Sequence, residues 1–354
     1  MPLLSWLRSH GQPEPSSGTP DRYEHISPVI DDLKKRLTDG TPSPARLADT
    51  PRLNDLGVEW GAVATNVLDK ALSANTSLVI ELPSDVPTCR ALARAGLYLS
   101  ISRQRTLDWT TLGAAESEHL KAWATEWRPS DVRQPLFRIE CADGVAKTKA
   151  QEDPERELVA FLSADRVPRS DAMADQSVVV FPWLRDMVRN HDRLSVDTCE
   201  ELLEEMALAS QELLDNVRLH ANLDGSGLCY ASYSVTGQPN TDSLELHLTV
   251  LDTGVGIPIT AQRHYTEPEA PEKIVKAALM GDLRKRDRGR GLNRLANLAE
   301  RRRGRFFVAT STPSGGAVVA ECLKTAHPHV RHIHELDTKG TVAVLTVPLA
   351  DEPA

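Results

Sequence analysis

Glu212-Leu213-Leu214-Asp215-Asn216, Asp252-Thr253-Gly254-Val255-Gly256 and Gly289-Arg290-Gly291-Leu292 are the three short stretches on which the fold of this chain turns. All three lie in the C-terminal half, in that order. Taken singly, each pattern is common by chance. The order of the three, and the kind of element each occupies, carries the information.

The first stretch sits on a helix. Residues 197–221 place Leu202, Leu203, Met206, Leu213, Leu214 and Val217 at three- and four-residue steps, an amphipathic stripe. Asp197 with Glu200, and Thr198 with Glu201, have the spacing of a capping box at its start. Glu212 and Asn216 are four residues apart, so they project from one face on successive turns. A carboxylate there can accept a proton from a nucleophile. An amide oxygen is a hard neutral ligand of the kind Mg²⁺ takes. His220 follows one turn later on the same face.

The second stretch ends a strand. Leu244, Leu246, Leu248 and Val250 alternate with Glu245, His247 and Thr249, and the pattern breaks at Asp252-Thr253-Gly254. A carboxylate at a strand end can accept a hydrogen bond from the amino group of a flat base. Gly254 and Gly256 let backbone approach a ligand without a Cβ clash. The third stretch opens a helix whose Leu292, Leu295, Ala296 and Leu298 have core spacing. Glycines at a helix start offer N–H groups and the positive end of the dipole to a phosphate, and Arg288 and Arg290 add charge. Dinucleotide binding fits poorly, because the third glycine of that fingerprint and a strand directly before it are both missing.

Together these residues resemble the GHKL nucleotide-binding superfamily, which includes DNA gyrase, the heat-shock chaperone of that class, mismatch-repair ATPases, histidine kinases and anti-sigma-factor serine kinases. The resemblance spans roughly residues 180–350. It implies an α/β sandwich, a mixed sheet backed by helices, with a Bergerat-type pocket for ATP and Mg²⁺ under a lid at about residues 259–288. It further implies Asn216 as the Mg²⁺ ligand, Asp252 as the adenine-binding carboxylate, and Gly254 and Gly256 as the glycines beneath the base. Gly289, Arg290, Gly291 and Leu292 then form the phosphate turn. Gly340-Thr341 opens the strand at residues 341–349, and the Thr341 hydroxyl helps to hold adenine. The phosphate turn has fewer glycines than many members carry.

Glu212 is the discriminating position. Histidine kinases usually carry Asn there, whereas the ATP-hydrolysing branch and the anti-sigma kinases carry Glu. Glu212, Asn216 and His220 match the Glu-x-x-x-Asn-x-x-x-His spacing of the anti-sigma kinases, and the Leu-Leu-Asp-Asn core matches the gyrase-like spelling. A carboxylate base serves water and a protein hydroxyl equally well. The resemblance therefore implies an ATP-hydrolysing regulator with Glu212 as general base, with a serine protein kinase or a nucleotide-gated binding module as alternatives. A histidine kinase proper is disfavoured: His191 stands too close to Asn216 for a hairpin of two long helices at about 1.5 Å per residue. His334-Glu335-Leu336 falls between strand candidates and reads as a loop.

The composition of the 354-residue chain suits about two domains, with 40% hydrophobic residues for their cores. A net charge of −9 argues against a dedicated nucleic-acid binder. A local exception is the basic crowd of Arg284, Lys285, Arg286, Arg288, Arg290, Arg294, Arg301, Arg302, Arg303 and Arg305. Five scattered cysteines without Cys-x-x-Cys pairing fit a reducing cytoplasm. No 18-residue apolar run marks a membrane span.

Three regions are expected. Residues 1–25 form a flexible segment, 26–165 an N-terminal α/β regulatory or partner-binding domain, and 175–354 the ATP-binding domain. Within the second, residues 54–74 read as a helix, 77–82 as a strand, 86–95 as a helix and 97–102 as a strand. This alternation resembles part of a STAS-like phosphoacceptor domain. The expected partner is a regulatory protein, and a homodimer is compatible with the fold.

Overall fold

The computed structural model describes residues 23–38, 45–46, 50, 56–72, 79–81, 106–108, 136–139, 194–217, 220, 229–236, 245–283, 290–323 and 327–349. In chain order the elements are α1 (Tyr23–Thr38), β1 (Ala45–Arg46), α2 (Gly57–Leu72), β2 (Val79–Glu81), β3 (Thr106–Asp108), β4 (Leu136–Ile139), α3 (Val196–Asn216) and β5 (Cys229–Thr236). Then follow β6 (Glu245–Asp252), α4 (Ile257–Ala261), α5 (Pro271–Met280), α6 (Gly291–Arg301), β7 (Arg305–Ser311), β8 (Ala317–Cys322), β9 (His329–Ile333) and β10 (Thr341–Pro348). The protein is a mixed α/β structure.

Seven strands form one sheet in the order β4-β5-β6-β10-β7-β8-β9, and β1-β2-β3 form a small parallel sheet. The resemblance implies a mixed sheet. The large sheet is instead antiparallel at every described pair. The connection from β6 through α4, α5 and α6 to β7 does return the chain in the same direction. β10, however, inserts between those two strands, antiparallel to both. Its register sets Thr341 opposite Asp252 on one side and Thr310 on the other.

The front face carries the core. Leu202, Leu203, Met206 and Leu213 of α3 pack with Val275 and Leu279 of α5, Leu295 and Leu298 of α6, and Leu248, Val250, Phe306, Val308 and Leu345 of the sheet. The amphipathic stripe expected for α3 is therefore its buried face. The helix begins slightly earlier than the capping-box reading places it. Ser195 Oγ accepts the Thr198 N–H at 3.2 Å, because a short hydroxyl side chain just before the first turn reaches that free donor. Arg302 pairs with Glu205 at 2.6 Å and Glu201 at 3.0 Å, tying the end of α6 to α3. Much of the expected lid is packed structure, since Ile274 and Val275 of α5 are buried in the interior.

The back face is covered as well. Trp60 of α2 lies 5.8 Å, ring to ring, from Tyr23 of α1 and 5.8 Å from Phe307 of β7. Glu59 reaches Arg305 at 3.3 Å, and Arg305 also meets Glu245 at 3.2 Å. This explains why two of the three polar positions of β6 are not solvated, while Glu245 stays partly exposed. His247 and Thr249 are buried, and His247 Nδ1 meets Thr346 Oγ1 at 2.9 Å. α1, α2 and β4 all come from the part of the chain before residue 165, so the large sheet and its cover draw on both expected regions. Of the other expected elements there, α2 and β2 fall where the pattern places them. Residues 86–95 and 97–102 lie outside the described residues. His334 and Glu335 stand in the turn after β9, as their loop reading requires. Among the described residues no helix is long and apolar enough to cross a membrane.

Trp60 is fully buried, and emptying such a site costs about 3–5 kcal/mol. Trp60→Ala is expected to lower unfolding free energy by that order in a denaturant titration, through loss of the back-face layer.

Candidate functional site

A cleft opens between the sheet and the helices at the ends of β6 and β10. Asn216, Val250, Asp252, Gly256, Gly291, Leu292 and Thr341 line it, with His220, Thr260, Arg263, His264 and Leu283. Six of the residues expected from the sequence thus share one wall system: Asn216, Asp252, Gly256, Gly291, Leu292 and Thr341. Gly254 supports it from behind, Glu212 stands beside it, and Arg290 is exposed at the cap of α6. Gly289 lies outside the described residues, as do Arg284, Lys285, Arg286 and Arg288.

Asp252 is the most constrained side chain. It ends β6 almost fully buried, and the Gly254 N–H donates to its Oδ1 at 2.8 Å. Burial lifts its carboxyl to about 7, against hydrogen bonds from the Gly254 and Thr341 amides that pull it down. Gly340 has a φ of 74°, and a Cβ there would strike the Asp252 carboxylate and backbone and the Gly254 nitrogen. The Gly340-Thr341 pair is thus fixed by close approach to Asp252. Gly256 has a φ of 83°, and a Cβ on it would lie 2.9 Å from Thr310 Oγ1 and 2.6 Å from Ser311 Oγ.

Sequence reasoning missed Thr310. Its hydroxyl accepts the Ile257 N–H at 2.9 Å and meets Thr341 Oγ1 at 3.2 Å, so it locks the glycine turn to β10. A Thr in mid-strand carries no positional signature, and only its register opposite Thr341 reveals it.

The other wall is built by α3 and α6. A Cβ on Gly291 would stand 2.6 Å from Glu212 Oε2 and 3.5 Å from Asn216 Nδ2. Glycine as the first residue of α6 thus lets the Glu212 carboxylate lie directly against the helix start, a place a larger residue would make it leave. Asn216 Nδ2 is buried without a hydrogen-bond partner, and the residue lines the cleft. Glu212 Oε1 is paired with Arg294 of α6, one of the basic crowd, which fixes the carboxylate beside the helix start. Among the described residues no side chain caps α6, and its first two residues, Gly291 and Leu292, line the cleft. His220 lies within reach of Arg263, whose Nη2 donates to Nδ1 at 3.3 Å, and both line the cleft. Among the described residues no group of three or more His, Cys, Asp or Glu could hold a metal by itself.

No family model matches the chain, and no curated protein matches it.

The raised Asp252 carboxyl sets a pH dependence. Its ionised form is penalised in the folded state, so wild-type stability falls as pH rises from about 4, its ordinary range, to about 7, and is flat above that. The amide of Asp252→Asn keeps an acceptor for the Gly254 N–H and carries no charge. The variant is expected to gain on the wild type across this window, by on the order of a few kcal/mol at neutral pH. Paired denaturation curves at pH 4.5 and 7.5 check it, and a gap that does not widen contradicts it.

Proposed function

We propose that the chain is a nucleotide-binding regulator of the GHKL class, which holds Mg-ATP in this cleft and hydrolyses it to control a protein partner in the cytoplasm. The observation that carries the reading is the convergence of two chemically distinct walls on one cleft. One wall has a buried carboxyl with Gly256 and Thr341 around it, suited to a flat base bearing an amino group. The other joins an uncapped helix start to a carboxylate and an unpartnered amide, suited to phosphates. The crossover from β6 to β7, with β10 between them, supports the same reading.

In this reading Asp252 accepts the amino group of the base, and the Thr341 and Thr310 hydroxyls hold that end of the cleft. The α6 amides and Arg290 attract the phosphates. Asn216 would hold Mg²⁺ through its amide oxygen, and the ion would supply charge neutralisation to the phosphates. Glu212, oriented by Arg294, takes the proton from the attacking nucleophile.

The placement of His220 in the same cleft favours one second reading, a serine protein kinase of the anti-sigma type. Glu212, Asn216 and His220 then act together on a partner's hydroxyl.

The two are separated by incubating wild type and variants with γ-labelled ATP and Mg²⁺ and following both free phosphate and protein-bound label. Wild type is expected to release phosphate. Glu212→Ala should keep ATP affinity and lose roughly 10²–10⁴-fold in phosphate release, the range of a general base. Label on a serine of an added protein puts the kinase reading first. Binding with neither signal marks a nucleotide-gated module. ATP bound normally by Asp252→Asn overturns the cleft assignment altogether.

A further inference from the structure

Behind the cleft, one polar side chain of the back-face layer reaches the same two strand ends. Asn66 of α2 is fully buried. Its Nδ2 donates to the Asp252 carbonyl at 3.0 Å and the Lys339 carbonyl at 2.5 Å, and its Oδ1 accepts the Lys339 N–H at 2.7 Å. Both amide protons and the carbonyl are used. The pairing of β6 with β10 begins at Asp252 and Thr341, so Lys339 and Gly340 lie beyond the ladder. Asn66 supplies backbone partners where the ladder has stopped.

Those backbone segments have two sides. On the back they are held by Asn66. On the front, Asp252 presents its carboxyl to the cleft, Gly340 packs against it, and the Thr341 amide donates to it. The spacing of Asp252 from residues 339–341 therefore sets the geometry of the carboxyl, and the Asn66 amide bridges that spacing. A fully buried carboxamide is costly unless all its polar atoms are met. Here they are met only when the two strand ends keep this separation.

We propose that Asn66 is a positioning residue for the base-binding end of the cleft, so that docking of α2 on the back of the sheet and nucleotide affinity are coupled. The proposal rests on the nucleotide reading above. It makes the N-terminal helical layer a regulatory element through this bridge: whatever parts Asn66 from the two strand ends weakens ATP, and ATP by reciprocity tightens the bridge.

The test measures ATP dissociation constants, with Mg²⁺, of the full chain as wild type, Asn66→Ala and Leu33→Ala. Leu33 is a fully buried residue of α1, so its truncation weakens the same layer without touching the amide bridge. Asn66→Ala is expected to raise Kd on the order of tenfold, the scale of losing a buried hydrogen-bonded group. Leu33→Ala, although less stable, should stay within about twofold of wild type, a change too small to count as loss of a contact. A folded Asn66→Ala with wild-type Kd overturns the proposal, as does Leu33→Ala weakening ATP equally. If Asn66→Ala does not fold, wild type alone decides. ATP is expected to slow amide exchange across residues 57–72, and unchanged exchange overturns the coupling. A wild type that binds no ATP defeats the proposed function as well as this inference, whereas wild-type binding left intact in Asn66→Ala defeats this inference alone.

Discussion

β10 is bonded on both edges, to β6 and to β7, and everything at the cleft depends on that double pairing. A strand that enters a sheet between two parallel-running neighbours has no free edge along its length, so its start is fixed in position. That start is Thr341, set opposite Asp252 and Thr310. Three residues from three distant parts of the chain are brought together by register, not by local sequence. The close approach at Gly340 follows directly, since only a residue without a Cβ can stand where the two strand ends converge.

The same convergence explains the cost carried by Asp252. A carboxyl taken almost wholly out of water is disfavoured as an anion, and two backbone amides offset only part of that. Such a group weakens the fold at neutral pH. A ligand that donates to it recovers some of the loss on binding, so the unfavourable burial becomes a source of affinity. The opposite wall has the complementary arrangement. Glu212 is only a quarter exposed and balanced by Arg294, while Asn216 keeps a buried amide atom unpaired. Each wall carries a polar group that the protein itself leaves under-satisfied, which is the expected mark of a site rather than of a core.

Legibility in the sequence follows the range of the interactions. The helical stripe of α3, the strands β6 and β10 and the core face of α6 are local periodicities, and all could be read directly. Asp252 and Gly256 of the cleft lining were also legible, because strand ends and glycine turns leave local marks, whereas Thr341 came only with the resemblance. Arg294 opposite Glu212 was not, since the pair is 82 residues apart and any of several nearby arginines could have served. Asn66 was invisible for the same reason. It meets Asp252 across 186 residues and Lys339 across 273, from a helix whose pattern announces only that it is helical. The packing of the expected lid was not legible from its place in the resemblance; it comes from Ile274, Val275, Ala278 and Leu279, which give α5 a buried face.

The polar positions of β6 hold a more general lesson. Alternation of apolar and polar residues establishes that a strand has two unlike faces, but not that one of them is wet. His247 and Thr249 lie on the face under α2, where His247 is paired with Thr346. The back of this sheet takes its helical layer through hydrogen bonds and ion pairs as well as through apolar packing. Trp60 and Phe307, with Val63, Val67 and Leu68 of α2 also buried, supply apolar contact, while Asn66 and the Glu59–Arg305 pair supply polar ones. The cover is thus held by both kinds of contact at once. It sits directly behind the one strand end at which the cleft is most finely constrained.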